Sequence, residues 1–205
     1  MRASFVFLRL SLSQLSHSTP SMKICIVSDS HDNRRLLGSA VEDAKLHGAE
    51  TVLHCGDVVA PTTLRVLQKF GLPVHVIYGN NTGDLYSLSK LANEPNSVVQ
   101  FHGPDAGIVL ADKKVFLVHY PHYARGMATT GDWDIVCCGH DHRAEIQWVE
   151  NIKGGKTLLV NPGTVGGVGA APTYVLGDLN TMTFEVMTVP AQEGELCNMP
   201  RVAKH

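Results

Sequence analysis

The strongest constraint on the fold is the alternation of strand-like and helix-like segments between residues 23 and 81. The segments KICIVSDSH, AETVLHCGD and LPVHVIYGNN are short apolar runs that end in polar residues, a pattern typical of buried strands. Between them, NRRLLGSAVEDAKLH repeats apolar residues at spacings of three and four, and PTTLRVLQKF begins with proline and ends before glycine. A β-α-β-α-β order predicts a parallel sheet with right-handed crossovers and a site at the carboxyl ends of its strands.

The second half of the chain is rich in strands and poor in helices. AGIVLADKKVFLVHYPH predicts two strands around the turn ADKK, and WDIVCCGHDH predicts another. Four more strands are predicted in AEIQWV, KTLLVNPG, TYVLGDL and MTFEVMTV, which glycine, asparagine and aspartate turns separate. The whole pattern predicts an α/β fold in which two sheets pack together with helices outside, the second sheet being mixed or mostly antiparallel.

The first 21 residues differ in composition from the rest of the chain. They contain two arginines, six serines and no acidic residue, whereas a strand-like run begins abruptly at Met22. We expect residues 1–21 to be an extension outside the fold, residues 22–190 to form one domain, and residues 191–205 to be a tail. Translation from Met22 would give a cytoplasmic protein, and an organellar transit segment or a secretory signal are the alternatives for the extension.

Composition disfavours two classes of partner. The net charge of −2 offers no basic field for an extended nucleic-acid surface, and no apolar run approaches the roughly 20 residues of a membrane span. The five cysteines are an odd number and make a poor disulfide framework, which favours a reducing compartment. We therefore expect a soluble protein with free thiols, and composition leaves its oligomeric state open.

Side chains that suit hard or borderline divalent metals follow several of the predicted strands. Two pairs of them are spaced i and i+2, which would place both side chains of an extended segment on one side. One such residue alone is usually a turn residue or a satisfied histidine, but the ordered set makes chance agreement improbable. The set supplies two groups of four ligands that share one carboxylate. Its members are Asp29 and His31 in DSH, Asp57 in GD, Asn80 in GN, His119 in VFLVH, and His140 and His142 in GHDH.

In this order the motifs closely resemble those of the calcineurin-like metallophosphoesterase superfamily, D-x-H, G-D, G-N, H and G-H-x-H. Chain length and NPGT at residues 161–164 make the chain most similar to the small bacterial and archaeal phosphodiesterases of that superfamily. The resemblance implies the metallo-dependent phosphatase fold, a four-layer α/β/β/α sandwich of two mixed sheets. It also implies a first metal held by Asp29, His31, Asp57 and His142, and a second held by Asp57, Asn80, His119 and His140.

The resemblance further implies a binuclear metal-dependent phosphohydrolase. Within that class it favours a phosphodiesterase acting on a small or nucleotide phosphodiester. Two metals would hold a bridging hydroxide for in-line attack on phosphorus. Four metal charges against Asp29, Asp57 and the hydroxide leave a net positive site that attracts a monoanionic diester. Manganese is the expected metal, and iron, nickel or zinc are alternatives that the same nitrogen and oxygen ligands would accept.

Three departures from the family pattern affect the chemistry. Asn81 stands where many relatives have a histidine, or a cysteine in the small phosphodiesterases, so it is predicted to contact phosphate without acting as an acid. HYPH replaces the usual His-Gly-His, which makes His122 a candidate substrate contact, although an exposed histidine is the simpler interpretation. Thr82 stands where the family has an acidic residue, and Asp84, two positions later, is equally well explained as an outer support of the site or as a helix N-cap. The source of the general acid stays open.

The sequence leaves other functions to be weighed against a phosphodiesterase. A phosphomonoesterase would use the same centre, and the sequence does not separate the two. A non-catalytic scaffold resembling the retromer subunit shares this fold, but that subunit has lost metal histidines, whereas every ligand position is filled here. Structural zinc at Cys137 and Cys138 is disfavoured because adjacent residues of a strand point to opposite faces. His54 and His75, inside strands, are expected to be satisfied core histidines.

Overall fold

A computed structural model describes residues 22–190 of the chain, so the expectations for the extension and the tail lie outside the described residues. The described strands are, in chain order, β1 (Lys23–Val27), β2 (Ala49–His54), β3 (Val74–Val76), β4 (Val99–Phe101), β5 (Asp105–Leu110), β6 (Lys113–Val118), β7 (Ile135–Cys137), β8 (Ala144–Glu150), β9 (Lys156–Pro162), β10 (Thr173–Asp178) and β11 (Thr183–Thr188). The described helices are α1 (Arg34–Leu46), a 3₁₀ helix (Pro61–Phe70), α2 (Leu85–Ala92) and α3 (Pro121–Thr130).

The strands form two mixed sheets. The first has six strands in the order β11-β10-β1-β2-β3-β4, in which β1 to β4 run parallel and β10 and β11 are antiparallel to their neighbours. The second has five strands in the order β5-β6-β7-β9-β8, with parallel pairing at its centre and antiparallel pairing at both edges. The crossovers through α1 and the 3₁₀ helix join parallel strands, as the β-α-β pattern predicts. Helix α3 also joins two parallel strands, β6 and β7, a crossover that the sequence pattern did not predict.

The side chains of β1 alternate between two buried clusters, one on each face of the first sheet. Ile24 and Ile26 belong to the buried cluster between the two sheets, whereas Cys25 and Val27 belong to the cluster beneath α1 and the 3₁₀ helix. Successive side chains of a strand point to opposite faces, so a continuous apolar run is needed wherever both faces are covered. A third cluster lies between the second sheet and α3. The layers are therefore α/β/β/α, which confirms the predicted fold class.

Helix α1 begins and ends as the sequence predicts. Asn33 caps its first turn, because its side-chain oxygen accepts a hydrogen bond from Leu36 N at 3.1 Å. Gly48, with φ of 93°, follows the last turn in a left-handed conformation that glycine adopts without strain.

Three features of the fold differ from or go beyond the sequence pattern. The segment Pro61–Phe70 is a 3₁₀ helix, and the short strand β4 was not predicted. Strands β10 and β11 return to the first sheet and pair with β1, which no local pattern specifies because pairing between distant strands depends on the whole fold. In the described part of the chain, none of the helices has the length and apolar character needed to cross a bilayer.

Candidate metal centre

The centre is built from loops that leave the carboxyl ends of strands in both sheets. The loops after β1 and β2 are joined by backbone hydrogen bonds, from Asp29 N to Gly56 O and from His31 N to Asp57 O, both at 3.0 Å. The loops after β6 and β7 are joined by a bond from Gly139 N to His119 O at 2.9 Å. These bonds fix the loops within each sheet, and a bond from His140 N to Asp29 Oδ2 at 2.9 Å joins the two sheets, so their carboxyl ends share one site.

The backbone at most of the predicted ligands is left-handed. A positive φ is uncommon outside glycine, and its clustering marks sites where the surrounding fold enforces an unfavourable conformation. The pairs DSH and GHDH therefore converge through turns, and the extended geometry inferred from their i, i+2 spacing is wrong. The residues concerned are Asp29 (φ 54°), His31 (39°), Asp57 (55°), His140 (78°) and His142 (59°).

The first ligand group consists of Asp29, His31 and His142. The two histidine Nε2 atoms face each other at 3.3 Å. Asp29 Oδ1 lies 3.3 Å from His142 Nε2 and 3.9 Å from His31 Nε2. Asp29 is fully buried, while each histidine is about one-fifth exposed, with side-chain exposures of 20% and 21%. The fold therefore brings His142 beside Asp29 and His31, and one ligand atom from each of the three surrounds a common point.

The second ligand group consists of Asn80, His119 and His140. Asn80 Oδ1 lies 2.9 Å from His119 Nε2 and 2.8 Å from His140 Nδ1. His119 is buried, whereas Asn80 and His140 are exposed. The amide oxygen is neutral, so the second ligand group contributes no negative charge of its own.

Asp57 lies between the two groups and turns one carboxylate oxygen towards each. Its Oδ2 is 3.8 Å from His31 Nε2 in the first ligand group, and its Oδ1 is 3.4 Å from His119 Nε2 in the second ligand group. Asp57 is only 2% exposed. A buried carboxylate shared in this way is the arrangement that a bridging ligand requires.

The hydrogen bonds of the histidines indicate that the site suits cations. His119 Nδ1 is 2.9 Å from Cys55 O, and His142 Nδ1 is 2.7 Å from Val168 O. A carbonyl oxygen only accepts, so each Nδ1 donates, and the Nε2 of the neutral ring presents a lone pair to the centre. Lone pairs of nitrogen therefore meet carboxylate and amide oxygens, which is favourable when a cation lies among them.

A second observation supports the fit to metal ions. Asp29 Oδ1 is buried and accepts no hydrogen bond from any described residue, although Asp29 Oδ2 accepts one from His140 N at 2.9 Å. A buried carboxylate oxygen without a partner is costly unless a proton or a cation satisfies it. The donor set of nitrogen, carboxylate and amide oxygen suits borderline divalent ions.

Two glycines allow the loops to approach the carboxylates. A Cβ atom at Gly79 would collide with Asp57 Oδ1 and the His119 ring, and one at Gly139 would collide with Ser28 Oγ and Asp29 Oδ2. The glycines of the GN and GHDH motifs are thus required by close packing.

Asn81 forms hydrogen bonds with Asp57, the carboxylate shared by the two ligand groups. Its backbone N donates to Asp57 Oδ1 at 2.8 Å, and its side-chain Nδ2 donates to Asp57 Oδ2 at 2.6 Å. The amide predicted to contact phosphate therefore holds the shared carboxylate in this arrangement. A phosphate contact by Asn81 stays a prediction.

The other polar residues singled out in the sequence lie around the centre. His122 is exposed and packs its ring 4.2 Å from that of Tyr123. Asp84 caps α2 through a 2.9 Å bond from Ser87 N, and its hydrogen bonds to Ser87 lower the pKa of its carboxyl group, which favours the N-cap interpretation. Asn161 Nδ2 donates to Gly139 O at 3.1 Å and so supports the GHDH loop.

The two histidines inside strands are satisfied, as predicted. His54 Nε2 lies 3.0 Å from Ser30 Oγ, and burial lowers the pKa of His54 to about 3, which keeps the ring neutral. His75 Nδ1 lies 2.9 Å from His102 Nε2, and burial, with a smaller contribution from His102, lowers the pKa of His75 to about 4.

The cysteines of CCGHDH are buried and face opposite sides of the second sheet. Cys137 lies in the cluster between the sheets, and Cys138 lies in the cluster beneath α3. Burial raises the pKa of Cys138 well above its ordinary value, so the thiol stays protonated. These positions rule out a zinc site that uses both cysteines together.

Sequence reasoning missed a pocket beside the second ligand group. This cavity of about 420 Å³ is bordered by Asn80 and His119 and extends towards three tyrosines, Tyr78, Tyr120 and Tyr123. The Tyr120 ring is 4.8 Å from the His140 ring and 5.7 Å from the Tyr123 ring, edge-to-face in both cases. No local motif predicts the pocket, because its walls come from separate segments: the loops after β3 and β6, the start of β5, and α3.

Comparison with known proteins identifies the family. The profile of the calcineurin-like phosphoesterase superfamily domain matches residues 22–182. The phosphodiesterase MJ0936 of Methanocaldococcus jannaschii is 31% identical over 147 residues, which cover 69% of this chain and 83% of that protein.

Solved structures share the fold. The structure of an archaeal phosphodiesterase superposes with a TM-score of 0.73 at 26% identity, covering 82% of this chain and 99% of the other. Vacuolar protein sorting 29 from Cryptosporidium parvum superposes with a TM-score of 0.55 at 19% identity, covering 82% of this chain and 96% of the other. The resemblance inferred from the motifs is thereby confirmed. Because the family profile spans every loop of the centre, the chain belongs to the calcineurin-like phosphoesterase superfamily and is a metal-dependent phosphoesterase.

Proposed function

We propose that the chain is a binuclear phosphodiesterase that hydrolyses a small or nucleotide phosphodiester. The observation that carries this proposal is the position of Asp57, whose two oxygens face the first and second ligand groups separately. A single-metal site would not need a carboxylate between two sets of nitrogen ligands. Similarity to two proteins described as phosphodiesterases supports the choice of a diester.

The seven residues would divide between two ions as the motifs imply. In this proposal, the first ligand group and Asp57 hold one ion, and the second ligand group and Asp57 hold the other. The carbonyls of Cys55 and Val168 fix the tautomers of His119 and His142, so their Nε2 lone pairs are available as ligands. Asn81 would steady Asp57 through both of its hydrogen bonds.

Charge favours a monoanionic substrate at this centre. Two bound divalent ions would activate a water molecule for in-line attack and stabilise negative charge on the phosphoryl oxygens. Asp29 and Asp57 are the only carboxylates among the seven proposed ligands, so they offset half of the four metal charges. The neutral Asn80 leaves the side that faces the pocket electropositive, which attracts the phosphate of a diester.

The proposed acid chemistry follows from Asn81. An amide cannot give up a proton at neutral pH, so Asn81 cannot protonate the departing alkoxide. If no other residue protonates that oxygen, leaving groups of low pKa should be cleaved much faster than simple alcohols. Manganese is the metal that we propose first, and iron, nickel and zinc suit the same ligands.

The substitution Asp57→Asn tests the proposal. Asparagine tolerates the left-handed backbone at this position but bears no charge, so metal content should fall below two ions per chain and turnover should fall more than about a hundredfold. Metal analysis and hydrolysis of bis(p-nitrophenyl) phosphate with added manganese provide the two measurements.

A matched control is Asp112→Asn, which changes an exposed aspartate with φ of 62° in the turn between β5 and β6. Near-normal turnover by Asp57→Asn would contradict the two-ion proposal. A parallel assay with p-nitrophenyl phosphate distinguishes the phosphomonoesterase alternative, since a monoesterase would prefer the dianionic substrate.

A non-catalytic scaffold is the second candidate, because a vacuolar sorting protein shares the fold. The complete ligand set argues for catalysis, since a scaffold needs no buried carboxylate with an unsatisfied oxygen. Hydrolysis that depends on added metal and is lost in Asp57→Asn would eliminate the scaffold as the sole function.

A further inference from the structure

The pocket lies beside the second ligand group and does not extend to the first. It is bordered by Asn80 and His119, whereas no member of the first ligand group contributes to its walls. A phosphodiester held at the centre has two substituents, and the pocket can receive one of them. At about 420 Å³ the cavity is near the small end of ligand pockets, which suits one nucleoside better than an oligonucleotide.

The walls of the pocket are aromatic. Tyr120 and Tyr123 stand edge-to-face on one side, and Tyr78 follows β3 on another. Tyr123 is 58% exposed, although a large aromatic side chain gains by burial. Exposed aromatic rings around a cavity are the usual surface on which a nucleobase stacks, because every base has a flat π-face.

The charge in the pocket selects the kind of group that can enter. Among the described residues that line it, Asp105 is the only charged one, at the start of β5, and it is exposed. A carboxylate accepts hydrogen bonds from exocyclic amino groups, such as N4 of cytosine, but meets only oxygen at position 4 of uracil. The same charge repels a second phosphate, which disfavours longer nucleotide chains.

We propose that this pocket binds one nucleobase of the substrate, with Tyr123 stacking on the base and Asp105 accepting a hydrogen bond from its amino group. The inference rests on the proposed function, since the phosphate beside the base would lie at the metal centre. It narrows the substrate class to phosphodiesters of amino-bearing nucleosides.

Direct binding provides the test. The probes are the O-methyl esters of the 5′-phosphonate analogues of cytidine and uridine, with the O-methyl ester of ribose 5-phosphonate as the base-free probe. Each is a monoanion, as a diester is, and its P–C bond and poor methoxide leaving group resist a phosphohydrolase. Calorimetric titration of the manganese-loaded protein should show the cytidine analogue binding about tenfold more tightly than the base-free probe, as one stacked base provides.

Three variants locate the effect. Tyr123→Ala should remove the advantage of the base, and Tyr123→Phe should keep it because the ring is retained. Asp105→Asn should abolish the preference for cytidine over uridine, since an amide can also donate to uracil. Tyr86→Ala, on α2 and 74% exposed, is the matched control and should change nothing.

The outcomes separate this inference from the proposed function. Equal binding of the cytidine analogue and the base-free probe, or an unchanged base effect in Tyr123→Ala, would overturn the pocket assignment even if bis(p-nitrophenyl) phosphate is hydrolysed. Base-dependent binding that Tyr123→Ala removes would support the pocket even if hydrolysis fails, and in that case the proposed function alone would be wrong.

Discussion

The two ligand groups differ in charge and in access. The first ligand group contains the buried Asp29, and His142 Nδ1 donates a hydrogen bond to the carbonyl of Val168. The second ligand group has a neutral amide in place of a carboxylate, and both Asn80 and His140 are exposed beside the aromatic pocket. If the proposed binuclear centre is correct, the first side would hold its ion more firmly and the second side would meet the substrate.

Among changes made to one side alone, the largest effect is expected from removing the charge of the first side. Asp29→Asn should release the first ion and lower turnover by about a hundredfold, because Asp29 is one of two carboxylates among the seven proposed ligands and also lies near Asp57 and His119. Asparagine also fits the backbone φ of 54°, so the fold should persist. Metal stoichiometry and circular dichroism check both points, with Asp112→Asn as the control.

If Asp29→Asn retained two tightly bound ions, the difference in charge between the two sides would have no functional consequence.

An intermediate effect is expected from making the two sides alike. Asn80→Asp should bind the second ion more tightly yet reduce kcat/KM by about tenfold, since the added carboxylate cancels the field that attracts an anionic diester. The measurements are manganese titration and kinetics of bis(p-nitrophenyl) phosphate hydrolysis. Tighter metal binding together with unchanged kcat/KM would show that charge on the second side does not govern substrate capture.

The smallest effect concerns the pH dependence of stability, through a histidine on β3, the strand that precedes Asn80. His75 on β3 has a pKa lowered to about 4, chiefly by burial, so below pH 6.5 the unfolded chain binds a proton that the folded chain does not. The free energy of unfolding should therefore fall as pH decreases from about 6.5 towards 4, by less than about 1 kcal/mol once solvent screening is considered. Urea denaturation at pH 7.5 and pH 5 should show a smaller loss in His75→Phe than in the wild type.

An equal loss of stability in His75→Phe and the wild type would assign the acid sensitivity to other groups, such as the buried His54 beside the first side.

The sequence was sufficient for the parts of the centre that depend on strand ends. Asp29 and Asp57 follow the apolar strands β1 and β2, which pair in parallel, so the carboxyl ends of both strands lie at one edge of the first sheet without further information. The hydrogen bonds of Asn81 to Asp57 could not be predicted, because they depend on the position of the loop after β3 relative to the loop after β2. The tyrosine pocket was missed for the same reason, since Tyr78 and Tyr123 come to line one cavity only after both sheets have packed.

The return of β10 and β11 to the first sheet lay equally beyond local reasoning. Tyr174 on β10 is fully buried and donates a hydrogen bond to Asp43 Oδ2 on α1 at 2.5 Å, a contact across 131 positions of sequence. Alternation of side chains predicts that such a strand exists, but the choice of its neighbour depends on the total packing of the layers.

The left-handed backbone at the ligands restricts which amino acids the centre can use. Each of these positions makes two demands on one residue, a positive φ and a side chain that offers a lone pair. Aspartate, asparagine and histidine are the non-glycine residues most enriched in that backbone region, and they are also the residues found at Asp29, His31, Asp57, His140 and His142. Backbone geometry thus limits these positions to a few residue types, independently of any preference of the metal.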